Sequence, residues 1–217
     1  MANNNSTFSW DLYHKAPVIG IIRGLPKETI YKLTSTFVEA GFYTIEITMN
    51  TPDAEEIINS LVKKFPQMNI GAGTVISIKD LENAKKAGVN FIVTPVISEE
   101  VIEKSISYGI PIFPGAYSPT EIFKAWTMGA AAVKVFPAAQ LGVQYIKDVL
   151  APLNEIKLLP TGGVSLNNIK TFFEVGAFGV GMGSSLFDKK MVQEEDYNAL
   201  KEHFIKLKQE INSFIKS

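Results

Sequence analysis

Cysteine is absent from this 217-residue chain, which excludes disulfides, thiolate metal sites and cysteine nucleophiles and fits a reducing compartment. Histidine is scarce: His14 and His203 are the two present, far apart, and they form neither a His-x-His nor a His-Glu-x-x-His pattern. Metal chemistry would lack its usual ligands, so no metal and no other cofactor is expected. A charge excess of either sign is also missing, with 21 basic residues against 22 acidic ones, so no global field draws nucleic acid or an anionic membrane. Any anion must be held locally. No apolar run is long enough to span a bilayer, and residues 1–7 lack the basic start and apolar stretch of a signal peptide. These absences predict a cytoplasmic protein without nucleic-acid or membrane partners.

What is present is a repeated β-then-α unit. Hydrophobic residues make up 46% of the chain and charged residues 20%, enough apolar material for a sizeable core. Phe8, Leu12 and Tyr13 stand at helical spacing and predict a preliminary helix over residues 8–15, with Asn4 to Ser6 available as caps. Strands are predicted at 17–23, 43–48, 69–75, 91–95, 110–114, 131–137, 156–161 and 178–182. Each is followed by a helical pattern: 27–40, 52–64, 77–87, from Ser98, from Ser118, 143–150, 165–175 and 197–215. No Pro/Gly/Ser linker interrupts the series, so residues 1–217 are expected to form a single domain. Eight units at a period of roughly 20 to 26 residues favour a closed (β/α)8 TIM barrel with an extra N-terminal helix. An open doubly wound sheet is less favoured, because Gly24-Leu-Pro stands where Gly-x-Gly-x-x-Gly would follow the first strand.

Two strands carry a charge where a buried strand normally excludes it. In Ala131-Ala-Val-Lys-Val-Phe-Pro137, alternation puts Val133 and Val135 on one face and Ala132, Lys134 and Phe136 on the other. In Tyr43-Thr-Ile-Glu-Ile-Thr48 the isoleucines face one way, and Thr44, Glu46 and Thr48 face the lumen. Lys134 and Glu46 thus lie on the sixth and second strands, opposite one another. A buried ion pair would account for the two alone. Further polar strand ends tilt the balance towards a site: Arg23 on the first strand, Thr74 on the third, Thr94 on the fourth and Thr161 on the seventh. Thr161-Gly162-Gly163 and Gly181-Met-Gly183-Ser184 follow the last two strands, where barrels often bind phosphate through backbone N–H groups. A desolvated lysine can attack a carbonyl and form a Schiff base.

In these motifs the chain resembles the class I aldolases acting on 2-keto-3-deoxy-6-phosphogluconate (KDPG) and 4-hydroxy-2-oxoglutarate. The resemblance runs from about Pro17 to Phe187. It rests on Ile45-Glu46-Ile-Thr48, Gly71-Ala-Gly-Thr74, Thr94-Pro95, Val133-Lys134-Val-Phe136-Pro-Ala138 and Thr161-Gly-Gly163 in combination. It implies that Lys134 forms the Schiff base with the C2 ketone and that Glu46 shuttles protons. It further implies that Thr74, Pro95 and Phe136 line the pyruvyl end, and that Gly162, Gly163, Gly183 and Ser184 take the phosphate of a keto-acid phosphate substrate. A homotrimer is implied in the same way. One departure concerns the substrate carboxylate, held by an arginine in many gluconate-cleaving members where this chain has Asn50. Arg23 is assigned that role instead. Arg23 with Asn50 resembles the galactonate-cleaving branch, whereas Thr161 resembles the gluconate branch. Two other classes of function compete: a phosphosugar isomerase or epimerase with Glu46 as base, and a non-catalytic phosphate-binding barrel.

Overall fold

The computed structural model describes residues 8–215, so Asn4 to Ser6 lie outside the described residues. Ser9 does the capping: its hydroxyl accepts from Leu12 N and starts α1 (Trp10–His14), satisfying one N–H that a first helical turn leaves unpaired. Strands β1 (Val18–Ile22), β2 (Thr44–Thr48), β3 (Asn69–Gly73) and β4 (Phe91–Val93) alternate with α2 (Lys27–Glu39), α3 (Ala54–Lys64), α4 (Ile78–Ala87) and α5 (Glu99–Ser107). The fifth barrel strand has two parts, β5 (Ile112–Phe113) and β6 (Gly115–Ala116), on either side of Pro114, which has no N–H to give to a ladder. Then follow α6 (Pro119–Thr127), β7 (Val133–Val135), α7 (Ala138–Leu150), β8 (Leu158–Pro160), α8 (Ile169–Glu174), β9 (Val180–Met182), α9 (Lys189–Gln193) and α10 (Tyr197–Glu210).

Every registered strand pair is parallel. One sheet runs β5-β4-β3-β2-β1-β9 and the other β6-β7-β8. The two join through the bent fifth strand and through a bridge between Thr161 and Gly181. The ring therefore closes as the alternation predicts, with a helix after each barrel strand. Ser118 and Glu121 form the capping box expected at the start of α6.

Several elements differ from the expectation, and three of the differences lie close to the site. Helix α7 carries an added first turn from Ala138, separated from the expected helix over 143–150 by Gly142 (φ 71°, ψ 179°), a conformation only glycine adopts freely. Helix α8 begins at Ile169 rather than 165, because the Asn168 side chain accepts from Ser165 N and donates to Gly163 O, holding that stretch as a turn. Helix α9 was not expected, and it starts where Asp188 Oδ1 accepts from Lys190 N and Met191 N.

Two layers of apolar side chains follow from the period-2 alternation. Val18, Ile22, Ile45, Ile47, Val133 and Val135 face outward and pack under the helices. Ile19, Phe91, Val93, Phe113, Ala132 and Leu159 face inward and fill the lower lumen with Phe8 and Tyr13. Ring centroids there stand 5.4 Å apart for Phe8 and Phe91, and 5.8 Å apart for Phe91 and Phe113. Helix α1 thus closes the N-terminal end of the barrel with aromatic side chains.

Candidate active site

On two strands, moving up by two residues changes the lumen from apolar to polar. Ala132 gives way to Lys134 on β7, and Leu159 to Thr161 after β8, while β2 carries Glu46 in mid-strand. Lys134 is 6% exposed and Glu46 1%. Backbone bonds fix both: Lys134 N donates to Pro114 O at 2.9 Å, and Glu46 is in register with Ile21 on one side and Gly71 on the other. The Glu46 carboxylate lies over Gly73, where a Cβ would stand 2.3 Å from its Oε1. Any larger residue there would displace it. Glu46 Oε2 is buried with no hydrogen-bond partner, and such a group is retained against a desolvation penalty.

The competing reading, a structural ion pair between Lys134 and Glu46, does not hold. Among the described residues, the ion pairs within 4.0 Å all lie on the outer surface, and Lys134 and Glu46 are not among them. Burial holds the Lys134 amine below its ordinary value, with Glu46 opposing and Arg23 reinforcing the shift. Burial also pushes the Glu46 carboxyl up, against the nearby positive charges of Lys134 and Arg23. Both groups move towards their neutral forms, an amine able to attack and an acid able to donate.

Above them opens a cavity of about 520 Å³. Its wall includes Arg23, Thr74, Pro95, Lys134, Phe136, Thr161, Gly162, Gly163, Gly183 and Ser184, so ten of the eleven expected site residues meet there. Glu46 lies deeper. Phe136 is 39% exposed and its ring centre is 4.9 Å from Lys134 Nζ. Thr74 adopts φ 57°, a rare conformation for a β-branched residue and one that collects at functional sites. Gly162 and Gly163 have φ of 86° and 80°, which suits a backbone turned to present N–H groups.

Not every polar strand end serves the cavity. The Thr94 hydroxyl donates to Val96 O at 2.5 Å, and Thr48 bonds Thr51, whose hydroxyl accepts from Gly24 N. Those two threonines hold loops. Asn50 is exposed and outside the cavity wall. The sequence reading missed the last part of the wall, formed by Leu25, Ser185, Phe187, Lys189, Val192 and Gln193. Its one local signal is Asp188 in a capping position before Lys189-Lys-Met-Val192.

Comparison with known proteins finds similar chains and similar folds. The family model for KDPG and KHG aldolase matches residues 11–203. A 2-dehydro-3-deoxy-6-phosphogalactonate aldolase of Escherichia coli (strain K12) is 36% identical over 175 residues, covering 80% of this chain and 85% of the relative. A solved structure described as native KDPGal superposes with a TM-score of 0.86 at 31% identity, covering 93% of this chain and 97% of the other. The KDPG aldolase of Legionella pneumophila, solved with pyruvate captured as a covalent carbinolamine intermediate, has a TM-score of 0.82 at 27% identity and covers 90% of this chain and 96% of its own.

Proposed function

Because the chain belongs to the KDPG and KHG aldolase family, we propose that it is a Schiff-base aldolase that cleaves KDPG to pyruvate and glyceraldehyde 3-phosphate. The observation that carries this reading is a buried, unpaired Lys134 with an unpartnered Glu46 carboxylate in the same lumen, under a cavity that ends in two glycine loops. Neutral Lys134 attacks the C2 ketone, and loss of water from the carbinolamine gives an iminium. Glu46 gives its proton to the departing hydroxyl in that step, and the iminium then accepts the electrons of the C3–C4 bond as the resulting Glu46 carboxylate, through a water, takes the C4 hydroxyl proton. The aldehyde leaves, and the enamine is protonated and hydrolysed to pyruvate and free lysine. Arg23 holds the carboxylate, while Thr74, Pro95 and Phe136 surround the pyruvyl carbons. Thr161 lies beside the sugar hydroxyls, and Gly162, Gly163, Gly183 and Ser184 receive the phosphate.

A second substrate is favoured by one observation. Arg23 lines the cavity and Asn50 does not, the combination that resembles the galactonate branch. Turnover of KDPG, its galactonate epimer and 4-hydroxy-2-oxoglutarate, measured side by side, ranks the three. Borohydride reduction with pyruvate, followed by peptide mass spectrometry, tests the chemistry. An adduct on Lys134 is expected; an isomerase, an epimerase or a non-catalytic barrel would give none.

The same reading takes residues 1–217 as one barrel domain, acting in the cytoplasm as a homotrimer. Among the described residues no helix is long and apolar enough to cross a membrane. Ile76, Val96 and Tyr117 are exposed at successive strand ends, and Phe123 is exposed on α6; exposed large apolar side chains of this kind support self-association. Sedimentation equilibrium tests this, and a monomer at micromolar concentration would sink it.

A further inference from the structure

The four residues of the phosphate cup are uncharged, whereas a phosphate monoester carries about −1.5 to −2 at neutral pH. Three cationic side chains line the cavity: Arg23, Lys134 and Lys189. In the aldolase reading, on which this inference rests, the first two serve the keto acid. Lys189 is left, five positions after Ser184 on the loop that forms half of the cup.

That loop is pinned along its length. Leu186 N and Phe187 N both donate to Gly183 O, at 3.0 and 2.9 Å. Ser185 Oγ donates to Val164 O, tying the loop to the β8 side of the cup, and Ser185 O lies 2.9 Å from His203 Nε2. Asp188 Oδ1 is taken up by Lys190 N and Met191 N at 2.9 and 3.0 Å. Lys189 is exposed, and among the described residues it takes part in no ion pair within 4.0 Å. The chain therefore presents a lysine without an ion pair, from a fixed turn, in the wall of the same cavity as the neutral phosphate donors.

We propose that Lys189 is a specificity residue, supplying the positive charge that makes the site prefer phosphorylated substrates over unphosphorylated ones. A solvent-exposed charge of this kind acts on binding more than on bond cleavage. The test combines titration calorimetry with inorganic phosphate and kinetics on KDPG and 4-hydroxy-2-oxoglutarate, for the wild type, Lys189→Ala and Lys189→Arg. In Lys189→Ala, phosphate affinity is expected to fall about 3- to 10-fold and KM for KDPG to rise by the same factor, with kcat within about twofold. KM for 4-hydroxy-2-oxoglutarate stays at the wild-type value, and Lys189→Arg restores both phosphate readouts. Equal phosphate affinity in the wild type and Lys189→Ala, or an equal rise in KM for both substrates, overturns the proposal. Failure of the aldolase reading looks different: the wild type would trap no pyruvate on Lys134, while the phosphate titration would still decide the role of Lys189.

Discussion

The lower and upper halves of the barrel lumen are built by the same strands, one alternation apart, yet they hold opposite chemistry. Below, Phe8, Tyr13, Ile19, Phe91, Phe113 and Leu159 exclude water. Above, Arg23, Thr74, Thr161 and two glycine loops surround an open cavity. Lys134 and Glu46 lie at the boundary. The difference teaches where the reactivity proposed for them would come from: the packed floor desolvates both groups, and the open roof would let a ketone reach the amine. A lysine wholly in the roof would stay charged, and one wholly in the floor would meet no substrate.

The comparison breaks most sharply at Lys134. Lys134→Ala should lower kcat/KM to roughly 10⁻⁴ of wild type or less, with no borohydride adduct, as expected for loss of a covalent nucleophile. Wild-type turnover in that variant would end the aldolase assignment. Glu46→Gln should reduce kcat by about 10²–10⁴-fold, the usual range for a general acid-base group, and pyruvate should still be trapped on Lys134, more slowly. Loss of trapping without loss of fold would make Glu46 a scaffold for the lysine rather than a proton carrier.

Cutting into the floor tests the other half. Phe91 is fully buried, so Phe91→Ala should destabilise the protein by about 3–5 kcal/mol in urea unfolding. Water admitted beneath Lys134 would raise its pKa and move the acid limb of the kcat/KM profile to higher pH, because only the neutral amine attacks. An unmoved limb would mean that the floor is not the source of the shift.

The smallest expected effect concerns stability. The folded-state pKa of Lys134 is lowered from 10.5, so the unfolded chain binds more protons and stability rises with pH between the lowered value and 10.5. Glu46 is raised from 4.5, so its contribution falls as pH increases from 4.5 through the raised value. At neutral pH, above 4.5 and below 10.5, both burials therefore oppose folding. Lys134→Met combined with Glu46→Leu should therefore stabilise the inactive protein by about 1–2 kcal/mol at neutral pH; a lower melting temperature would contradict this.

Much of this was legible before the fold was seen, for a physical reason. Strand alternation is local, so Lys134 and Glu46 could be put on the lumen face from their immediate neighbours, and the eight β-α units implied closure. Partner choice is not local. Thr94 and Thr161 look alike as strand-end threonines, yet one bonds a loop carbonyl away from the cavity and the other lines it. The turn added before the helix over 143–150 is set off by Gly142 at positive φ. Helix α9 was hidden because only five residues carry it, too few for a hydrophobic period to emerge. With it went Lys189 and Gln193.

The closure of the ring bears on what a bound ligand does to the protein. Other neighbouring strands share at least two registered pairs, while the β8 side meets β9 through a bridge between Thr161 and Gly181, where a Cβ on Gly181 would stand 2.4 Å from Thr161 Oγ1. This thin seam runs directly below the two glycine loops. In the proposed reading, a phosphate gripped by Gly162 and Gly163 on one bank and by Gly183 and Ser184 on the other would act as a rivet across it. Occupancy would then slow amide hydrogen exchange along β8 and β9 more than along β2 and β3, so the substrate helps to hold shut the barrel that cleaves it.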